Sequence, residues 1–406
     1  MRRRATTGPH GLADPSGSVP SALRIGPARV LVEGHDGIAL RLRTELKDSA
    51  AAHDGPPHLT LRIGHESESL SSPRASQAGR RFPYRFETVL RDRGASFQMS
   101  ARFGQPLYAF DLDALPLHDG SAIAADLRVP FSKPSLYESM VRPLIRVLSR
   151  DFAGPADVVA KNLLYEIVDP LVWCALLPLG ATFVHAGAVA TREGHGLLLM
   201  GTGGVGKTTT VLELVLNRGF HYVADDLVVV SAAGLSRYPK HLQLYAYNSV
   251  LVPGLEERIL RGRGPADRAL WHIRRRLLGD SQVRRRVSAS SFFGQDAVAQ
   301  EVPLSAAVMF TTSLEDPRVV IERADRIQLA RQAASVICDE FWDFTRFLNS
   351  LSTLSSQAAT LSNLHDLVTA TIEPTLPVDG CYLVHVPPRT PGADLADALS
   401  SQVPLV

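Results

Sequence analysis

Between Ala28 and about residue 130, apolar residues fall at alternate positions in short runs: Ala28-Arg29-Val30-Leu31-Val32, His58 to Ile63, Tyr84 to Val89 and Ala95 to Met99. Polar or glycine-bearing turns separate them. Period-two polarity is the pattern of strands with one buried face, and short connections predict an antiparallel β unit. Ser67–Ser72 and Arg74–Arg81 carry no steady apolar period and predict a long exposed loop. The pattern then changes. In Pro134–Ser149 and Ala156–Val168, Leu, Ile and Val recur at helical spacing, which predicts helices joining the β unit to the carboxy-terminal part of the chain.

From residue 170 onward the runs are shorter and more apolar. Leu171–Val184 is broken by Pro178 and Gly180 and is too short to cross a bilayer on its own, so it reads as buried helix or strand. Ala181–Val184 is strand-like and leads into His185-Ala186-Gly187-Ala188-Val189-Ala190; Gly196–Met200 is a second strand and Thr209–Asn217 a helix. Phe220–Ala224 and Leu227–Val230 are further strands, and Ala266–Leu278 is a helix. Val302–Thr311 and Val319–Ile321 are late strands, Arg326–Asn349 one or two helices, and Cys381–Val386 a last strand. The resulting fold class is α/β. Residues 1–26 form a Pro-, Gly- and Ser-rich leader, 27–150 a mainly β accessory or substrate-recognition domain, 151–390 a nucleotide-binding domain and 391–406 a tail.

Composition narrows the class. The 406 residues suffice for two cores, and 45% hydrophobic with 21% charged residues is ordinary globular composition. A net charge of +2 supplies no global field toward nucleic acid or membrane, and no zinc finger or RNA-binding motif is present. Cys174, Cys338 and Cys381 lie far apart without metal-ligand spacing and read as buried thiols of a reducing compartment. Met1-Arg2-Arg3-Arg4 is not followed by an apolar segment, so no signal peptide is expected and the cytoplasm is the expected location.

The chemistry concentrates in Gly201-Thr202-Gly203-Gly204-Val205-Gly206-Lys207-Thr208, followed by Thr209. Strand, glycine-rich turn and helix in that order give this pattern its physical meaning as a phosphate-binding loop. The glycines let backbone amides turn inward around an anion, Lys207 can reach the β/γ-phosphates, Thr208 can offer its hydroxyl to Mg2+, and the helix aims its positive end at the phosphates. Asp225 and Asp226 end the next apolar run. Adjacent strand side chains point to opposite faces, so the two acids take different stations. We assign Asp226 to Mg2+ and Asp225 to the acceptor hydroxyl, with the reverse left open by the register of a strand end.

His185 is a candidate to fold back beside a transferred phosphate, against a structural role in the core. Glu213 faces either a water near the site or a salt bridge. Lys240 is a candidate for an acceptor phosphate or a solvated loop lysine, with His241 beside it. Arg274, Arg275 and Arg276, and Arg284, Arg285 and Arg286, form two basic groups that read as a lid, a docking patch or solvated faces. Trp271, Phe292, Phe293, Phe341, Trp342 and Phe344 read as core or as lining for an acceptor. No Asn-Lys-x-Asp guanine-reading tetrad is present, which favours ATP.

His185-Ala186-Gly187, Gly201 to Thr208, and Arg218-Gly219 followed by Val223-Ala224-Asp225-Asp226 together resemble the carboxy-terminal catalytic domain of the HPr kinase/phosphorylase family. The likeness covers roughly residues 181–245. It implies that the loop grips ATP and magnesium, that His185 lies beside the phosphates, and that the acids bind metal and activate a serine hydroxyl. The long amino-terminal β unit and Gly380–Val386 look more like the HPr-kinase-like proteins of peptide or small-molecule biosynthesis. Arg261-Gly262-Arg263-Gly264 matches the family's arginine–glycine signature only superficially, so phosphorolysis is not expected. The expected activity is transfer of the terminal phosphoryl group of ATP to a hydroxyl of a peptide, a protein serine or a small metabolite. The alternatives are an ATPase switch and a regulatory nucleotide-binding protein; monomer and homo-oligomer both remain open.

Overall fold

The computed structural model describes residues 22–34, 37–46, 50–51, 55–66, 80–81, 86–91, 94–100, 106–112, 122–130, 160–314, 317–352 and 361–404. The expected leader up to residue 21, most of the expected loop between 67 and 81, the helix expected over Pro134–Ser149, and the boundary near 150 lie outside the described residues.

Nine strands build the first sheet: β1 (Leu23–Ile25), β2 (Ala28–Glu33), β3 (Ala50–Ala51), β4 (Leu59–Glu66), β5 (Arg80–Arg81), β6 (Phe86–Arg91), β7 (Gly94–Ser100), β8 (Pro106–Leu112) and β9 (Ile123–Pro130), in the order β3-β1-β2-β4-β9-β8-β7-β6-β5. It is not wholly antiparallel as alternation suggested, because β2, β4 and β9 pair in parallel. Parallel neighbours need a crossover, and the Gly37–Glu45 helix supplies it between β2 and β4. Alternation reports one buried face; it carries no information on strand direction.

The second sheet holds β10 (Ala181–Ala190), β11 (Gly196–Gly201), β12 (His221–Ala224), β13 (Leu227–Ser231), β14 (Gly234–Arg237), β17 (Glu301–Val302), β18 (Leu304–Thr312), β19 (Val320–Arg323) and β20 (Cys381–Val386). A separate ribbon pairs β15 (Leu242–Tyr245) with β16 (Arg284–Val287). The main path runs β17-β14-β13-β10-β11-β18-β20-β19, with β12 on β10. Strands β11, β18 and β20 are parallel, so Gly201, Thr312 and Val386 all end at one edge. Crevices for ligands form at such carboxyl-terminal edges.

Leu171–Val184 resolves into the Asp169–Leu176 helix, one tight turn over Leu177–Leu179, a left-handed Gly180, and then β10. The helical turns that precede it, from Ala160, fall within the helix expected over Ala156–Val168. Helical structure runs from Ala160 to Leu179, long and apolar enough by composition to cross a membrane, and it is mostly buried inside the fold. It packs on β2, β4 and β10, which joins both sheets into one apolar cluster that includes Ile25, Leu61, Trp173 and Phe183. A second cluster on the other face of the central sheet packs the Lys207–Asn217 and Gly392–Gln402 helices and Trp271. All three cysteines are buried and free. Burial pushes the Cys174 thiol up to about 12, as expected of an inert core thiol.

Candidate active site

The Gly201–Thr208 turn leaves β11 and enters the Lys207–Asn217 helix through Gly206, whose φ of 101° is left-handed backbone that a side chain would strain. Lys207 bends back over the turn, and its Nζ donates to the carbonyls of Gly201 and Thr202 at 2.7 Å each. Burial, against the pull of Asp225 and Asp226, lowers this ammonium to about 8. The group is thus held inside the loop with only neutral oxygen atoms as hydrogen-bond partners. Thr209 and Thr210, in the first turn of the helix, donate back to the Gly206 carbonyl at 2.7 and 2.9 Å.

Strand register brings the other groups to this loop. Ala186 of β10 pairs with Met200 of β11, so His185 sits one step on, level with Gly201. On its other side β10 pairs with β12 through Ala188 and Ala224 and with β13 through His185 and Leu227. Asp225 and Asp226 are therefore the interruption between two strands laid along the same neighbour. Asp226 has φ 77°, which breaks the alternation, and both acids line one cavity instead of opposite faces. The helix lies close to β10 at Gly187, where a Cβ would meet Val211 at 2.5 Å and Asp225 Oδ1 at 3.5 Å.

The two acids have different partners. Thr208 Oγ1 donates to the Asp225 carboxylate, 3.1 and 3.0 Å from its two oxygens. Lys240 Nζ donates to Asp226 Oδ2 at 2.7 Å and to Asp169 Oδ2 at 2.9 Å, and it lies 3.4 Å from the Tyr165 ring centroid. Tyr238 donates to Asp169 Oδ1 at 2.5 Å. Burial would drive Lys240 toward neutrality, but Asp169 and Asp226 push its pKa above the ordinary lysine value. Burial also works against an ionised Asp226, yet Lys240, His185 and Lys207 hold it below the usual carboxylate range.

His185 is a buried imidazole that burial and the Lys207 charge lower to about 4, so it is neutral at physiological pH. Its Nδ1 has no hydrogen-bond partner and stands 3.8 Å from Asp226 Oδ1 and 3.7 Å from Glu340 Oε2, too far for hydrogen bonds. Ligand atoms of these three residues lie within 4.8 Å of one another. A neutral imidazole with two carboxylates is a donor set for a divalent cation, and the hydroxyl and carboxylate oxygens of Thr208 and Asp225 are another, of the oxygen type that magnesium takes.

Loop, acids and imidazole open into a cavity of about 410 Å³, within the ordinary range for small-molecule sites. Its remaining wall comes from Gln243, Tyr245, Tyr247, Asn248 and Leu251, and from Thr312 with the turn Val386–Thr390. The Tyr245 and Tyr247 rings stack with centroids 5.3 Å apart. These residues, and Asp169, Tyr165, Glu340 and Arg389, escape the sequence reading. Asp169 alone leaves a signal there, an acid inside the apolar run Ile167 to Leu171 that requires a buried partner.

The basic groups are placed elsewhere. Arg275 pairs with Glu256 and, at 2.8 Å, with Asp280; Arg285 pairs with Asp267 at 2.7 Å, and Arg284 donates to the Tyr245 hydroxyl at 2.6 Å. Arg274 is buried, and none of the four lines the cavity. Arg284–Val287 is a strand, and Arg286 with His241 holds Glu45 at the end of the Gly37–Glu45 helix, each at 2.8 Å. Glu213 is buried, accepting from Asn217 and facing Arg218 at 3.6 Å. Trp271, Phe341 and Phe344 are core, Trp342 is exposed, and none of the aromatics named from sequence lines the cavity.

Asp225 yields a stability prediction. Burial first, then the Asp226 charge, raises its carboxyl from an ordinary 3.8 to about 6, a gap worth about 3 kcal/mol at 1.36 kcal/mol per unit. Because the folded value is the higher one, the native chain loses stability as pH rises from about 4 to 6. Asp226 acts oppositely, in a separate window below 3.8, where acid removes its contribution. Asp225→Asn should therefore raise the unfolding free energy at pH 7.5 by about 1–3 kcal/mol and change it little at pH 4. Urea titrations in a chelator at both pH values check this; equal effects would show an unstrained carboxyl.

No protein-family model matches the chain, and no curated protein does either. Among solved structures, the Hpr(Ser) kinase/phosphatase from Coxiella burnetii aligns with 35% of this chain and 78% of its own, at 17% identity and a TM-score of 0.19.

Proposed function

We propose that this chain is a magnesium-dependent phosphotransferase that moves the terminal phosphoryl group of ATP to a hydroxyl of a peptide, protein or small metabolite. The observation that carries the reading is the separation of two adjacent acids within one cavity: Asp225 against the Thr208 hydroxyl, Asp226 toward Lys240 and His185. Beyond the anion loop and the metal station, the second, more accessible acid supplies a station for the attacking nucleophile, an acceptor hydroxyl in this reading and water in an ATPase.

Thr208 and Asp225 would hold Mg2+, which supplies charge compensation on the phosphates. This exchanges the roles first assigned to the acids, and Asp225 fits because its carboxyl, raised to about 6, is relieved by a cation. Lys207 would leave the Gly201 and Thr202 carbonyls for the β/γ-phosphates, with its charge restored by them. The Asp226 side chain is 27% exposed and would accept a hydrogen bond from the acceptor hydroxyl. The acceptor oxygen forms the new bond to phosphorus, the bond from phosphorus to the β–γ bridging oxygen breaks, ADP leaves, and the hydroxyl proton passes to Asp226. With Lys240 keeping Asp226 weakly basic, the acid mainly orients the acceptor, which suffices where the proton leaves late in a loose transition state. The stacked Tyr245–Tyr247 pair and Gln243 form a wall of the same cavity on which an acceptor would rest.

The test is incubation with Mg2+, terminally labelled ATP and an extract of peptides, proteins and metabolites, read by mass spectrometry. A labelled acceptor is expected, lost about 10²–10⁴-fold in Asp226→Asn with nucleotide binding retained. Release of inorganic phosphate without a labelled acceptor would instead identify an ATPase. Equal loss of binding and transfer in Asp226→Asn would contradict the acceptor role.

A further inference from the structure

Among the described residues, two that are not glycine have positive φ: Asp226 at 77° and Arg389 at 64°. Both line the same cavity. Left-handed backbone at a residue with a side chain is strained, and such outliers gather at functional sites. Asp226 is accounted for by its station beside the transferred phosphate. Arg389 is not.

Arg389 belongs to the turn Pro387-Pro388-Arg389-Thr390, closed by the Thr390 amide donating to the Pro387 carbonyl at 3.4 Å and by the Thr390 hydroxyl donating to the same oxygen at 2.7 Å. Pro388 fixes a negative φ at the second position, so positive φ at the third makes this a type II turn, whose third position ordinarily holds glycine. The chain instead places there its largest cation. The side chain is exposed, and among the described residues no hydrogen bond or ion pair engages its guanidinium. A strained turn thus carries a side chain with no hydrogen-bond or ion-pair partner among the described residues.

Its position selects the part of the nucleotide it meets. His185, Asp225 and Asp226 come from β10 and the step between β12 and β13, on one side of β11. The Arg389 turn follows β20, two strands away on the other side, about 10 Å across the sheet. A triphosphate laid over the Gly201–Thr208 loop with its terminal phosphate toward the acids carries its base toward β18 and β20. We infer that the Pro387–Thr390 turn is the nucleobase subsite, with the proline rings forming its apolar surface and Arg389 donating to the N7 acceptor of a purine from the edge of the base. A planar guanidinium donates in its own plane, and N7 is absent from pyrimidines.

The inference rests on the proposed nucleotide binding at the loop, and the test separates the two. Calorimetric titration of the full chain with the Mg2+ complexes of ATP, CTP and inorganic tripolyphosphate compares wild type with Arg389→Gly and Arg389→Asn, both compatible with positive φ. Wild type should prefer ATP to CTP. Each variant should lose about tenfold in ATP affinity, keep its tripolyphosphate affinity, and unfold at an unchanged or higher temperature, since the strain is relieved. Unchanged ATP affinity in the variants overturns the subsite, as does an equal loss for ATP and tripolyphosphate, which would put Arg389 on the phosphates. Wild-type binding of tripolyphosphate with no gain for ATP also overturns it while leaving the phosphate loop intact. Failure to bind either ligand overturns the loop reading and the subsite with it.

Discussion

Replacing Lys240 with Met should lower the unfolding free energy by about 3–5 kcal/mol, the cost of stripping the counter-ion from buried carboxylates. The Lys240 side chain is 2% exposed and Asp169 is fully buried, so water is not available to replace the ammonium. Without it, Asp169 and Asp226 would face each other as like charges with only Tyr238 still donating to Asp169. They would take up protons, so the deficit should shrink as pH falls from 7.5 toward 5. Urea denaturation at these two pH values measures both the loss and its direction. Lys240→Met combined with Asp169→Leu should recover part of the loss, because removing both partners of a buried pair is far less costly than removing one. A deficit below about 1 kcal/mol at pH 7.5 would show that the network is solvated and that Lys240 is an ordinary polar contact.

Lys207→Ala should reduce turnover with ATP by about 10²–10³-fold, the range for loss of one preorganised donor to developing charge. Its stability should change little, in contrast to the Lys240 variant. The Lys207 ammonium is buried with two carbonyl partners and is already pushed down to about 8 by burial, so its removal also removes a desolvation cost. The two lysines thus have opposite expected signatures: one holds the acids in place, and the other has only backbone carbonyls to lose. Calorimetric binding of Mg2+ with ATP, alongside thermal unfolding, separates them. Unimpaired nucleotide affinity in Lys207→Ala would remove the loop from the phosphate site.

The local order around the loop was legible because backbone conformation there depends on residue type. Glycines at the turn, an apolar run before it and helix-forming residues after it leave few alternatives, and Gly196–Gly201 and Lys207–Asn217 lie within two residues of their expected bounds. Cys381–Val386 matches its expected strand. The turns from Ala160 to Val168 keep the apolar period that predicted them, whereas Asp169–Leu176 was less legible, since burial at every position erases the period that marks an amphipathic helix.

What the sequence alone determined, then, was a set of chemical groups in the right local order: a glycine-rich turn with a lysine and a threonine, two acids ending an apolar run, and a histidine ahead of them. Residue identity and near-neighbour spacing specify such features because they depend on backbone sterics within a few bonds. Which acid meets Thr208 was decided by the left-handed step at Asp226 and by the register of β10 against two strands at once. The burial of Lys240 between Asp169 and Asp226, 71 and 14 residues away, and the return of Arg389 to the loop were likewise set by the sheet. Such pairings join residues far apart in the chain, and only the packing of strands and helices against one another fixes which charges are denied water and must find each other.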